Sequence, residues 1–131
     1  MTVLDTSAAI DHLVGGPAAG HVQTLFENEA WLAAPEILIF EVMAVLRRHV
    51  TAGRVPLHQA DRAITHLANL RISLFPTLPL RTRAWELRDN LTVADALFVA
   101  LAEHLREPLA TKDRRLAAAA RAHTGVTVVE V

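Results

Sequence analysis

The sequence predicts an α/β protein, with a short, mostly parallel sheet of five strands covered by helices on both faces. Three observations lead there. Short apolar runs alternate with longer helical stretches along the whole chain. Two of those runs, Val3-Leu4 and Pro108-Leu109-Ala110, lead into hydroxyl residues and an acid: Asp5-Thr6-Ser7 in the first case and Thr111-Lys112-Asp113 in the second. No repeat, low-complexity tract or linker divides the 131 residues, so one domain is expected over 1–131. A chain of that length buries roughly two thirds of its unfolded surface, enough for an ordinary core.

Residues 2–4 form the first strand. Thr6 or Ser7 caps a short helix ending near Gly15-Gly16-Pro17, and residues 18–29 form a second helix with Val22, Leu25 and Phe26 on one face. Trp31-Leu32-Ala33 is the second strand. Pro35 suits the first turn of a helix over 36–50, which ends before Gly53. Pro56 opens a helix over about 57–70, with Leu57, Ala60, Ala63, Ile64 and Leu67 along one stripe. Residues 72–75 make the third strand, stopped by Pro76, and residues 80–88 are helical. Thr92 caps the helix over 93–105, the most apolar in the chain. Residues 108–110 form the fourth strand, 114–122 a helix, and 126–129 a final strand after Gly125.

Composition narrows the chemistry. Without cysteine there are no disulfides, thiolate metal sites or Cys nucleophile. No secretory signal opens the chain, and no uninterrupted apolar stretch reaches about 18 residues, so a cytoplasmic protein that does not span a membrane is expected. A net charge of −1 gives no global pull toward nucleic acid, which leaves local basic clusters: Arg47-Arg48, Arg81 with Arg83, and Lys112 with Arg114-Arg115. The seven His are scattered without ligand spacing, which argues against zinc, and there is no GxSxG elbow, Walker loop or GxGxxG turn.

Four acids stand out. Asp5 and Asp113 each precede a helix and could simply cap it, and Asp95 in Thr92-Val93-Ala94-Asp95 fits a capping box. Glu41 has no such account. Ile37, Leu38, Ala44 and Val45 share its face, and Ile39, Phe40, Val42 and Met43 make the helix apolar nearly all round, so it should be buried. Asp95 shares its face with Phe98, Val99 and Ala102. A buried, unpaired carboxylate neutralises or finds a cation, and neither helix carries an Arg on the same face. A divalent cation held by all four acids removes the difficulty, since carboxylates and water are what Mg²⁺ or Mn²⁺ accept.

With Asp5-Thr6-Ser7 after the first strand, Glu41 within Phe40-Glu41-Val42-Met43-Ala44-Val45-Leu46-Arg47-Arg48, the run Asn90 to Ala102 around Asp95, and Ala110-Thr111-Lys112-Asp113-Arg114-Arg115-Leu116, the sequence resembles PIN-domain proteins. The closest likeness is to the VapC-type toxins of bacterial toxin–antitoxin pairs, over essentially the whole chain. Two positions depart from the pattern: Ala44 stands where many relatives carry Asn, and Ala94 where an aromatic is common.

The resemblance implies a sheet in the order 3-2-1-4-5, with Asp5 and Asp113 side by side at a topological switch point. It implies metal-dependent RNA cleavage with Asp5, Glu41, Asp95 and Asp113 as metal ligands and catalytic acids. Thr6, Ser7 and Thr111 would hydrogen-bond the ligands or the attacking water. Arg47, Arg48, Lys112, Arg114 and Arg115 are candidates to touch the RNA backbone. The partners it implies are RNA, a cognate antitoxin (a small DNA-binding protein) and a second copy of the chain. Hydrophobic residues make up 52% of the chain, more than a monomer of this length ordinarily hides, which also favours a homodimer. An apolar stripe at Val22, Leu25 and Phe26 and another at Leu57, Ile64 and Leu67 are expected to be exposed. A groove near residues 8–29 and 36–50 is expected to take an amphipathic antitoxin segment. Alternatives are a PIN nuclease of RNA processing or DNA without an antitoxin, and a metal- or RNA-binding module without catalysis. A phosphoacceptor domain fits poorly, because the third strand ends in Phe75-Pro76 rather than an acceptor Asp.

Overall fold

The computed structural model describes all residues, Met1–Val131. Five strands, β1 (Val3–Leu4), β2 (Leu32–Pro35), β3 (Ile72–Phe75), β4 (Leu109–Thr111) and β5 (Val128–Glu130), pair in the order β3-β2-β1-β4-β5. Every pairing is parallel, so the expected order stands and the sheet is wholly rather than mostly parallel. Seven helices connect the strands: α1 (Thr6–Val14), α2 (Ala19–Asn28), α3 (Ile37–Thr51), α4 (Leu57–Asn69), α5 (Arg81–Glu86), α6 (Val93–Leu105) and α7 (Arg114–His123).

From β1 the chain steps outward to β2 and β3, then crosses back to β4 and steps the other way to β5. Right-handed crossovers therefore put α1–α4 on one face and α5–α7 on the other. Helix α6 lies across β1, β2 and β4. That central position explains its composition, with Ala96 to Ala102 buried without a break. The core is aliphatic and alanine-rich, and Phe98 is the largest of its fully buried side chains.

Several local expectations change. Pro35 ends β2 rather than opening α3. Alternate N–H groups of a strand face the same neighbour, and Ala33 N–H donates to Thr2 O on the β1 side. The donor that Pro35 lacks would face that same side, where β1 has already ended. Only residues 81–86 of the expected helix over 80–88 are α-helical, behind a 3-10 turn at Leu78–Leu80. Helix α3 is not buried all round. Leu38, Val42 and Leu46 face the core, while Phe40 (69%) and Met43 (51%) are exposed.

The α2 stripe is not exposed either. Val22 and Phe26 are buried, because α2 packs against α1, where the His12 ring lies 5.1 Å from the Phe26 ring, and Arg71 covers Phe26 at 5.8 Å. Of the α4 stripe, Leu67 is buried, whereas Leu57 and Ile64 remain exposed.

Candidate metal and nucleic-acid cleft

Strands β1 and β4 are adjacent, with Val3 opposite Leu109 and Leu4 opposite Ala110, and their crossovers leave in opposite directions. A crevice opens at the carboxyl ends of such strands. Here it is a cleft of about 490 Å³, and Asp5, Glu41, Asp95 and Asp113 all line it. Asp5 leaves β1, Asp113 follows β4, Glu41 sits on the second turn of α3 and Asp95 on the first turn of α6. Four separate segments thus bring carboxylates to one place.

The two strand-end acids do cap helices. Asp5 Oδ1 accepts from the Ala8 N–H at 3.0 Å, and Asp113 Oδ1 accepts from the N–H groups of Arg115 and Leu116 at 2.9 and 3.2 Å. Asp5 is also gripped by hydroxyls: Ser7 Oγ donates at 2.8 Å and Thr111 Oγ1 at 2.7 Å. Thr111 in turn accepts from the Asp113 N–H at 2.9 Å, which links the two acids through one fully buried side chain. On α3, Glu41 Oε1 accepts from Thr6 Oγ1 at 2.5 Å. The three hydroxyl residues singled out in the sequence therefore all orient acids of the cleft.

Asp95 is held more loosely. Thr92 Oγ1 caps α6 by accepting from the Asp95 N–H at 3.2 Å. Burial, opposed by the Thr92 hydrogen bond and reinforced by Asp113, Asp5 and Glu41, pushes the Asp95 carboxyl up to about 6. Burial also raises Asp5, against the lowering effect of its bonds from Ala8, Thr111 and Ser7, and Asp113 adds to the rise. None of the four acids has an ion-pair partner in the chain.

This donor set fits a hard divalent cation. It offers carboxylate and hydroxyl oxygens only, and none of these carboxylates is ion-paired within the chain. No group of three His, Cys, Asp or Glu side chains stands ready to ligate an ion without movement.

Of the five basic residues expected to meet RNA, only Lys112 lines the cleft, and its Nζ is paired with Asp11 Oδ1 at 2.8 Å. Arg47, Arg48, Arg114 and Arg115 are exposed and lie outside it. Sequence reasoning missed Asp11, His49 and Arg54, which also line the cleft. Asp11 is 4% exposed, and its Oδ2 accepts from the Ala18 N–H at 2.8 Å. Gly16 presses against that carboxylate so closely that a Cβ there would stand 2.3 Å from Oδ1, which is why the α1–α2 turn needs a glycine at this position.

The PIN domain family pattern matches residues 2–122, spanning every strand but the last and all four acids. The chain belongs to the PIN-domain family. Ribonuclease VapC1 of Mycobacterium tuberculosis is 41% identical over 118 residues, 89% of each chain. Ribonuclease VapC9 of the same organism is 35% identical over 129 residues, 98% of each chain. Two solved structures share the fold. The PAE2754 protein of Pyrobaculum aerophilum superposes with a TM-score of 0.72 over 95% of this chain and 80% of its own, at 23% identity. VapBC2 of Rickettsia felis, solved bound to a DNA fragment from their promoter, gives 0.68 over 97% and 96%, at 12% identity. The PIN fold expected from the sequence is thus the fold the chain has. No helix in it is long and apolar enough to cross a membrane.

Proposed function

We propose that this PIN-domain chain is a metal-dependent endoribonuclease of the VapC type, the toxin of a cytoplasmic toxin–antitoxin pair. Its likeness to curated VapC ribonucleases supports the substrate class. The observation that carries the chemistry is the gathering of Asp5, Glu41, Asp95 and Asp113 in one cleft with none of the four ion-paired within the chain. Asp5, Glu41, Asp95 and Asp113 would hold Mg²⁺, or Mn²⁺ in its place. When bound, the ion lowers the pKa of water and offsets charge gathering on the phosphate.

The chain's own residues supply the framework for the reaction. Thr6 fixes Glu41, while Ser7 and Thr111 fix Asp5, so these carboxylates meet the ion without first losing rotamer freedom. Lys112, held by Asp11, keeps a positive charge beside the acids where the phosphodiester must sit. Water adds to phosphorus, one ester P–O bond breaks, and the departing oxygen leaves as a hydroxyl on the other RNA fragment.

The partners belong to the same reading. Phe40, Met43, Leu57 and Ile64 leave apolar surface on α3 and α4, around a groove of about 260 Å³ that Met43, Leu57 and Ile64 help to line. With Val22 and Phe26 buried, this α3–α4 surface is the better seat for a second copy or an amphipathic antitoxin segment. An antitoxin Arg or Lys reaching the four acids would compete with the metal directly.

The test is to purify the chain with the product of its adjacent gene, free it, and assay total RNA with Mg²⁺ and with chelator. Cleavage that needs the ion and is blocked by the partner is expected. Metal-independent cleavage, or none by a folded protein freed of its partner, would overturn the reading.

A further inference from the structure

Glu41, Val45 and His49 recur every four residues along one face of α3, and all three line the cleft. Eight residues of α-helix place His49 about 12 Å beyond Glu41, so the cleft is long and its ends differ. The end away from the acids is closed by the α3–α4 connection. There Gly53 takes a left-handed φ of 73°, and the chain folds back so that the N–H groups of Arg54 and Val55 donate to His49 O at 2.9 and 3.3 Å. The turn brings the Arg54 side chain onto His49, and Arg54 Nε donates to His49 Nδ1 at 2.9 Å.

Nothing in the chain neutralises this guanidinium. Arg54 has no carboxylate partner, unlike Arg83, Arg121 and Lys112. With Nε held by the His49 ring and the backbone pinned, its terminal amino groups are left as an oriented fork for an oxyanion. Val45 stands between His49 and Glu41 on this face, and Ile10, Val14 and Val55 add aliphatic surface to the same cleft. A free phosphate would use the fork and waste that surface. A nucleotide strand uses both, with a phosphate on Arg54 and an unstacked base against the aliphatic side chains. A paired duplex keeps its base faces inside the stack, so such a surface suits an unpaired stretch.

We propose that Arg54, positioned by His49, grips a phosphate of the RNA away from the scissile bond, so that an unpaired strand lies along α3 from His49 to Glu41. The proposal rests on the ribonuclease reading and deepens it. It moves the RNA path from Arg47, Arg48, Arg114 and Arg115, which lie outside the cleft, to Arg54, an exposed residue at the cleft's edge.

The experiment measures binding of an unpaired oligoribonucleotide, by fluorescence anisotropy over a series of salt concentrations, to protein carrying Asp95→Asn so that the RNA stays intact. Adding Arg54→Met should weaken binding roughly tenfold and reduce the salt slope by about 0.7, the value for one lost phosphate contact on a single strand. His49→Ala should lower affinity less, with little change in slope, because the charge remains but is no longer aimed. Arg54→Lys should restore the slope while recovering only part of the affinity. In otherwise wild-type protein, Arg54→Met should lower cleavage of the oligoribonucleotide more than cleavage of a dinucleotide, which reaches only the acid end. An unchanged salt slope, an equal loss on the dinucleotide, or equal affinity for fully paired RNA of the same length would overturn the proposal. A wild-type protein that cleaves RNA while Arg54→Met behaves identically sinks this inference alone. One that neither cleaves nor binds RNA overturns the ribonuclease reading and this proposal with it.

Discussion

The four acids proposed to hold the metal come in two kinds. Asp5 and Asp113 stand at strand ends, cap α1 and α7, and are surrounded by donors: an amide and two hydroxyls on Asp5, and two amides on Asp113. Glu41 and Asp95 ride on helices. Glu41 has one hydroxyl donor and Asp95 rises to about 6 under burial and the charge of the other three. The first pair caps helices, so each residue has a structural task besides any catalytic one, although burial still raises the Asp5 carboxyl. The second pair caps no helix and has no ion-pair partner in the chain, so a cation from outside is the natural counter-charge.

The largest expected effect separates those tasks. Each of Asp5→Ala, Glu41→Gln and Asp95→Asn should lower metal-dependent kcat/KM by on the order of a hundredfold or more. Their effects on stability should run in opposite directions. Asp5→Ala removes a helix cap and strands the Ser7 and Thr111 hydroxyls, costing about 1–2 kcal/mol in denaturant unfolding. Glu41→Gln and Asp95→Asn relieve repulsion, so the metal-free protein should be as stable as wild type or more so. Destabilisation by Asp95→Asn equal to that by Asp5→Ala would erase the distinction between the two kinds of acid.

A third kind of acid sharpens the contrast. Asp11 is as buried as Asp5, but it carries its own cation, Lys112 Nζ at 2.8 Å. Lys112→Met should leave that carboxylate uncompensated and cost about 1–3 kcal/mol. Double-mutant unfolding with Asp11→Asn would check it, since the cost should shrink when both charges are gone. A cost for Lys112→Met that persists unchanged beside Asp11→Asn would show that the pair is not what holds the α1–α2 turn.

The sheet and two of the acids were legible because one signal appears twice: an apolar run leading to hydroxyl residues and an acid at Asp5-Thr6-Ser7 and Thr111-Lys112-Asp113. Glu41 and Asp95 stood out as carboxylates amid apolar neighbours and both line the cleft, but the burial expected of Glu41 is not found, since it is only half-buried beside the exposed Phe40 and Met43. The rest depends on tertiary geometry. His49 lies eight residues beyond Glu41 on the same face, but Arg47-Arg48 drew attention as the charged cluster and proved to lie outside the cleft. Arg54 enters only because Gly53 turns the chain back on His49. The α2 stripe read as surplus apolar surface because nothing local reveals that α1 and Arg71 cover Phe26.

Acidity should expose the cost of the Asp95 charge next. Asp95 titrates near about 6 in the folded, metal-free protein, against 3.8 when unperturbed. The folded state therefore binds more protons than the unfolded state between those values, and stability falls as pH rises through that window. Above about 6 the cost is fully present. The melting temperature of metal-free wild type should thus decline relative to Asp95→Asn as pH climbs from 4 to 6, and Mg²⁺ at neutral pH should return the difference. Parallel curves for the two proteins would place the burden of charge elsewhere.

The smallest effect is the most direct probe of coupling between the two kinds. Asn caps helices about as well as Asp, so Asp113→Asn should leave the Arg115 and Leu116 N–H groups satisfied and alter stability by only a few tenths of a kcal/mol. It nevertheless removes one full charge from the cleft. Of the three carboxylates that raise Asp95, Asp113 has the largest influence, ahead of Asp5 and Glu41, though behind burial itself. The Asp95 carboxyl should therefore titrate lower in Asp113→Asn while remaining above its ordinary value, because desolvation is untouched. Side-chain carboxyl resonances followed through a pH titration of the metal-free protein would read the shift. An Asp95 midpoint that does not move would mean that the strand-end and helix-borne acids do not share one electrostatic site, and with that the case for a common cation would fail.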